Sequence, residues 1–306
     1  MSTPSAPADQ PAHFPSGDPP PPREIVVGVD GSDCALGAVR WAAREAVRRN
    51  APLRIVHAAE YLGHQDESGA PSPELPRARR ITAKAYTVAR HTEHSVRAST
   101  EVVPGDPATA LLRAAADSQL MVLGSSATGA ADEMVLASVA VRVSAHSPTP
   151  VVIVPRLGGR APTDRPVVAV VGIGAPEDDA AVAAFAADAA RSAGDTLMLL
   201  TTRAPRPGAG PEADLDEWRR RLPDVELELT ELPDAGASQL LTAACPSPLV
   251  VVDAGRGGGL RRSSLDGPHR WLLRHCTSPL AFVPTGSRAD LAEPEAAAQP
   301  DDAATG

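Results

Sequence analysis

Short apolar runs, rich in β-branched residues, alternate along this chain with longer stretches in which apolar positions recur every three or four residues. The runs read as strands buried on both faces, the longer stretches as helices with one buried stripe. Glu24–Asp30 is the first predicted strand, and Gly31 ends it. Leu36, Val39, Ala43, Ala46 and Val47 follow at helical spacing, with Arg40, Arg44, Arg48 and Arg49 among them. Leu53–Ala59, Thr100–Val103, Gln119–Gly124 and Pro150–Pro155 are the next four strands, with helices over Glu74–Arg97 and near Ser138–His146. Between strands three and four, Asp106 followed by Pro107 sets an N-cap and a first-turn proline, which predicts a helix over the alanine-rich segment behind it.

The same order returns after a polar linker bearing Gly and Pro, Arg156–Arg165. Strands are predicted over Val167–Gly172, Thr196–Thr202, Glu226–Leu232, Pro248–Gly255 and Pro279–Pro284, with helices between them, the first through Val182, Phe185 and Ala189. The endings HSPTPVVIVP and CTSPLAFVP align without a gap. This is an internal duplication with a period of about 130–140 residues, too long for a solenoid unit and right for a tandem domain. Strands alternating with helices imply right-handed crossovers and a parallel sheet covered on both faces. The expected fold class is α/β: two flavodoxin-like (Rossmann-like) domains, each a five-stranded parallel sheet with helices on both faces. The expected boundaries are a disordered lead over 1–22, domain one over 23–155, a linker over 156–164, domain two over 165–284 and a disordered tail over 285–306. Both ends are polar and rich in Pro or Ala, and neither can bury a face.

Composition narrows the picture. With 43% hydrophobic but only 3% aromatic residues, the core must be built from Val, Leu, Ile and Ala. A net charge of -9 argues against a general nucleic-acid binder, which needs a basic face. Cys34, Cys245 and Cys276 lie far apart in sequence without a C-x-x-C, so neither a disulfide framework nor a zinc site is expected. The first residues lack a basic start and an apolar run, and no stretch approaches the roughly 20 apolar residues that span a bilayer. A cytoplasmic protein with no membrane partner is the expectation.

In an open α/β sheet the ligand crevice lies beyond the carboxyl ends of the strands, where the strand order reverses. In domain one the flanking loops are Val29–Asp33 and Leu123–Val141. The second loop is expected to end at a helix N-terminus near Ser138, where N–H groups attract an anion.

The residues at these places resemble a known family. IVVGVDGS, the helix and strand behind it, VVPGDPATALLRAAAD, and LMVLGSSATG with ASV and SPTPVVIVP look like a universal stress protein domain over residues 23–155; 165–284 resembles a diverged copy. The resemblance implies an adenine-nucleotide site, with Asp30 bonding the nucleoside, Val56 and Leu123 flanking the base and Gly124 near the ribose. Val29 and Val139 belong to the same implied set. The family's phosphate signature, Gly-x-x-Gly, nine residues, Gly-Ser/Thr, reads here Gly124-Ser125-Ser126-Ala127, nine residues, Ala137-Ser138. Two of its three glycines are alanines, which puts a Cβ where backbone approaches phosphate, and Asp132 and Glu133 add negative charge. The expectation is a weakened ATP site in domain one only, with no metal site of the protein's own. In domain two, Ile173 stands where Asp30 stood, and Asp253, Arg256, Asp266 and Gly267 occupy the signature positions. The Asp266-Gly267-Pro268 helix start is a built-in anion that competes with any external one.

Other residues carry less. Cys34 opens a predicted helix, where a thiolate is favoured, yet a packed thiol accounts for it. His57 ends strand two without an evident partner. Trp41, Trp218 and Trp271 each stand alone on helices and read as packing residues. No P-loop, dinucleotide fingerprint, nucleophile elbow or zinc-protease motif is present, and no nucleophile, base and orienting acid can be assembled. The resemblance thus implies a non-enzymatic stress-response module that switches on nucleotide binding. The alternatives left open are an interaction scaffold that has lost nucleotide altogether and, third, slow ATP hydrolysis. The resemblance further implies a pseudo-dimer paired through the two last strands, with an unknown protein partner and homodimerisation of the tandem chain undecided.

Overall fold

The computed structural model describes residues 23–59, 74–125, 131–156, 165–171, 176–202, 211–254, 265 and 267–285. The expected lead over 1–22, and all but the edge residues Arg156 and Thr285 of the expected linker and tail, lie outside the described residues.

The first half runs β1 (Ile25–Gly28), α1 (Asp33–Arg48), β2 (Leu53–Ala59), α2 (Glu74–Thr92), β3 (Ala98–Pro104), α3 (Pro107–Ala115), β4 (Leu120–Ser125), α4 (Ala131–His146) and β5 (Val151–Pro155). The second runs β6 (Val167–Val171), α5 (Pro176–Ala193), β7 (Leu197–Thr201), α6 (Pro211–Arg221), β8 (Leu227–Glu231), α7 (Ala237–Ala244), β9 (Val250–Asp253), α8 (Gly267–His275) and β10 (Leu280–Val283). Local chemistry explains the starts. Gly31 turns the chain with φ +91°, Ser32 caps α1 by accepting the Ala35 N–H at 3.1 Å, and Asp106 caps α3 by accepting the Thr109 N–H at 2.9 Å.

The strands form one ten-stranded sheet in the order β3-β2-β1-β4-β5-β10-β9-β6-β7-β8. All pairs are parallel except β5 with β10, which run antiparallel with Ala281 opposite Val152. Each half thus has the order 3-2-1-4-5, mirrored across the β5–β10 seam. The expected doubly wound α/β class is what the chain adopts.

Alternate strand residues face opposite sides. Ile25, Val27, Ile55, Val152 and Ala281 meet α1, α2, α5 and α6 on one face. Val26, Val56, Met121, Ile153 and Phe282 meet α3, α4, α7 and α8 on the other. Both apolar layers run through the seam without a break. The near-absence of aromatics is met by close approach: Ala35, Ala38, Ala42, Ala43 and Ala46 on α1 are all buried, so this helix lies low on the sheet.

Two helix boundaries differ from the sequence reading. Residues 74–97 are not one helix; α2 ends at Thr92, because Val96 must turn inward to 3% exposure before β3. More consequentially, α4 begins at Ala131, seven residues before Ser138. Between Ala131 and His146 there is neither glycine nor proline, and Ala137 stands where a helix-breaking glycine was the alternative. Alanine favours the helical state over glycine by about 1 kcal/mol, so the helix runs on through that position.

Candidate functional site

The strand order reverses between β1 and β4, and an open cavity of about 130 Å³ lies at the carboxyl ends of these strands and β2. Its floor is Gly28, Val56 and Leu123; Pro107 and Leu111 of α3 and Val139 and Ala140 of α4 form one wall. Of the residues singled out from sequence, Val29, Asp30, Val56, Leu123, Gly124 and Val139 come together here. Ala127 lies outside the described residues, and for Ala137 and Ser138 only the backbone course within α4 is described. The lining is apolar except at the rim. A cavity of this size is comparable to the roughly 150 Å³ apolar cavity that holds a benzene ring. It suits one flat ring system whose polar substituents project through the mouth.

Two groups give the rim its chemistry. Asp30 is half-buried, and its Oδ1 accepts the Ser32 N–H at 2.9 Å, so the carboxylate shapes the turn into α1 while facing the cavity. His57 donates its Nδ1–H to the Val29 carbonyl at 2.7 Å. That bond selects the tautomer in which Nε2 is an acceptor. Sequence left His57 without a partner; the partner is a backbone carbonyl on the neighbouring strand, which residue types cannot reveal.

Gly124 has a packing reason of its own. A Cβ there would stand 2.5 Å from the Cys34 carbonyl and 2.7 Å from the Ala35 nitrogen, all backbone. Glycine at this place lets α1 settle on β4, whether or not a ribose comes near. Ser138 differs from its expected role: it is inside α4, and so is not the N-cap of a helix terminus. The N–H groups of a helix interior are spent on intrahelical bonds, so an anion site at Ser138 of the expected kind is not formed.

Residues 22–155 match the model of the universal stress protein family. Universal stress protein Rv2028c of Mycobacterium tuberculosis is 35% identical over 108 residues, covering 34% of this chain and 37% of that protein. Over this first half the chain is thus similar to the universal stress protein family. A universal stress protein from Archaeoglobus fulgidus resembles the chain in fold across both halves, with a TM-score of 0.67 at 13% identity, covering 86% of this chain and 97% of that one. A universal stress protein solved in complex with cAMP is 29% identical over 44% of this chain and 98% of its own, with a TM-score of 0.36. The match to Rv2028c spans well under half of that protein's length.

The second half departs from the first at the matching place in the sheet. Val26 pairs with Met121 and Met121 with Val151, as Val168 pairs with Val250 and Val250 with Leu280. Counting from these equivalent rows, Gly124 answers to Asp253 and Ala140 to His269. Ile173, the expected counterpart of Asp30, lies outside the described residues, as do Arg256 and Asp266. Asp253 and His269 are 4% and 1% exposed, and His269 Nε2 lies 3.3 Å from Asp253 Oδ1. Where the first half has glycine and alanine, the second half thus carries a buried polar pair. Sequence placed Asp253 there but missed His269, which sits in the first turn of α8 among unremarkable neighbours.

The three cysteines are free thiols, and two of them are neighbours in space. Far apart in sequence, Cys245 and Cys276 bring their sulfurs to 3.5 Å, because α7 and α8 end side by side below the sheet. Cys34 is buried in the first turn of α1. Trp41 and Trp218 pack on one face of the sheet and Trp271 on the other, where it stacks on His275 at 4.2 Å. Among the described residues no cluster of His, Cys, Asp and Glu could hold a metal, and no helix is long and apolar enough to cross a membrane.

Proposed function

We propose that this universal stress protein is a non-enzymatic regulatory module of the cytoplasm, whose first half takes an adenine nucleotide in the β1–β4 cavity. The observation that carries this reading is the apolar ring-sized slot between Val56, Leu123 and Val139 with Asp30 at its rim. The base fills the slot and Asp30 bonds the sugar or the base edge. With buried Asp253 and His269 standing where the first half has Gly124 and Ala140, one nucleotide per chain is the stoichiometry. The two halves act as an intramolecular pseudo-dimer joined at β5 and β10, and a nucleotide that favours one state of the α4 region alters the affinity for a protein partner by the same factor.

The helical course of α4 through Ala137 and Ser138 favours a specific form of this proposal: the base and sugar are held, and the polyphosphate is gripped weakly. Titration of the full chain with a fluorescent ATP analogue is expected to saturate at one site. A charged hydrogen-bond partner is worth about 1.5–3 kcal/mol, so Asp30→Ala weakens binding at least tenfold. ATP, ADP and AMP compete within about threefold of one another, because the added phosphates together gain less than about 0.7 kcal/mol. Absence of saturable binding at millimolar nucleotide leaves the second reading, an interaction scaffold without a ligand.

A further inference from the structure

We propose that Cys245 and Cys276 form a peroxide-reactive dithiol, in which Cys245 is the attacking sulfur and Cys276 the resolving one, and which closes to a disulfide between the ends of α7 and α8. Cys245 caps α7, its N–H bonded to the Leu241 carbonyl at 2.9 Å. Cys276 follows α8 directly, its N–H bonded to the Leu272 carbonyl at 2.8 Å. Both sulfurs are thus fixed by the ends of helices, 3.5 Å apart. A disulfide bond is about 2.05 Å long, so closure asks for a relative movement of about 1.5 Å.

Accessibility divides the roles. Cys245 is half-buried and can be reached by a small oxidant, whereas Cys276 is 4% exposed. Hydrogen bonds favour the thiolate at Cys245: the Cys276 thiol, the Ser278 hydroxyl and the Ser278 and Thr277 N–H groups converge on it and bring its pKa down to about 6, against some opposing burial. The Ser278 hydroxyl is itself held in place, accepting the Ser247 N–H at 2.9 Å. Cys276 is pushed up, first by its bond to Cys245 and then by burial, and so keeps its proton.

The duplicated fold supplies an internal control. The position equivalent to Cys276 in the first half is Ser147, whose hydroxyl donates to the Thr149 carbonyl at 2.7 Å, and the Cys276 sulfur lies 3.3 Å from the matching Ser278 carbonyl. The position equivalent to Cys245 is Ala116. The corner before the last strand is therefore built without sulfur in one half and with two adjoining sulfurs in the other. The corner's own architecture does not require the pair.

The chemistry balances with a hydroperoxide as oxidant. The Cys245 thiolate attacks one oxygen of hydrogen peroxide; the O–O bond breaks, hydroxide leaves and takes a proton to become water, and the sulfur becomes a sulfenic acid. The Cys276 sulfur then attacks that sulfenic sulfur; an S–S bond forms, the S–O bond breaks and a second water leaves. Two thiols and one peroxide give one disulfide and two waters. The bridge closes a segment carrying β9 and α8, the elements that supply Asp253 and His269.

The test uses the fully reduced, full-length protein. After stoichiometric hydrogen peroxide and quenching with N-ethylmaleimide, peptide mass mapping is expected to find Cys245 joined to Cys276 within one chain and Cys34 alkylated. Without peroxide, iodoacetamide labelling of Cys245 rises through a midpoint near 6 rather than the ordinary cysteine range near 8.5. C276S places at this corner the residue the first half already uses, so the fold is kept, and peroxide then leaves a Cys245 sulfenic acid that dimedone traps; C245S gives no adduct. Three intact thiols after peroxide, a bond to Cys34 or a cross-link between chains overturns the proposal.

Discussion

Gly124 shows how one atom decides a position. It was singled out as a residue near a ribose, but the first thing a side chain there would meet is the backbone of Cys34 and Ala35 at 2.5–2.7 Å. Backbone at that distance cannot give way as a side chain would, so Gly124→Ala must lift α1 off β4. Overpacking of this kind costs about 1–3 kcal/mol. The expected outcome is a fall in chemical-denaturation stability of that size together with lost nucleotide binding, since Ala35 and Gly124 also line the cavity. Unchanged stability with lost binding would assign the glycine to the ligand alone. At this scale sequence went far with a residue whose role is local, Asp106, because it acts on backbone three positions away. It could not see Cys245 beside Cys276, or His269 on Asp253, since those contacts depend on how separate elements meet.

Among the elements, α3 and α4 form a contrast in how a helix starts. The start of α3 is written in two residues: Asp106 accepts both the N–H and the hydroxyl of Thr109, at 2.9 and 2.8 Å, and Pro107 follows in the first turn. Those bonds hold the Asp106 carboxyl below its ordinary value, with Arg142, 3.2 Å away, adding a smaller share. A depressed folded-state pKa means stability that is full above the unfolded value, near 3.9, and is lost as pH falls through the folded one. Asp106→Ala is therefore expected to cost about 1 kcal/mol at neutral pH, and the gap between variant and parent should narrow below pH 4 when thermal unfolding is followed. A gap independent of pH would assign the loss to packing instead. The start of α4 differs from the expected position because the family's spacing survives here while its glycines do not. Helix propensity then extends the element back to Ala131, and the spacing no longer marks a terminus.

The whole molecule is held at its centre by β5 and β10, and a second contact between the halves lets the two kinds of interaction be weighed. Arg49 at the end of α1 bonds Glu45 at 2.5 Å on its own helix and reaches Asp188 of α5, with its guanidinium 5.7 Å above the Phe185 ring. Burial opposes its charge, but Glu45 and Asp188 outweigh that and hold its pKa above the ordinary value. Glu45 is nearly inaccessible, whereas the Asp188 side chain is 51% exposed. An ion pair open to water on one side is worth about 0–1 kcal/mol, so Asp188→Ala should leave stability almost unchanged. The seam is a different matter. Val152 and Ala281 face each other at 0% exposure in both strands and belong to one apolar layer shared by α1 and α5. A carboxylate at Val152 cannot reach water or a partner without parting the sheet, which costs several kcal/mol. Because the layer is continuous, that loss falls on both halves together. Calorimetry of the parent should show a single cooperative transition, and V152D should lower all of it at once, whereas D188A leaves it in place. Two separate transitions, one of them untouched by V152D, would mean that the halves fold independently and that the common sheet adds only orientation.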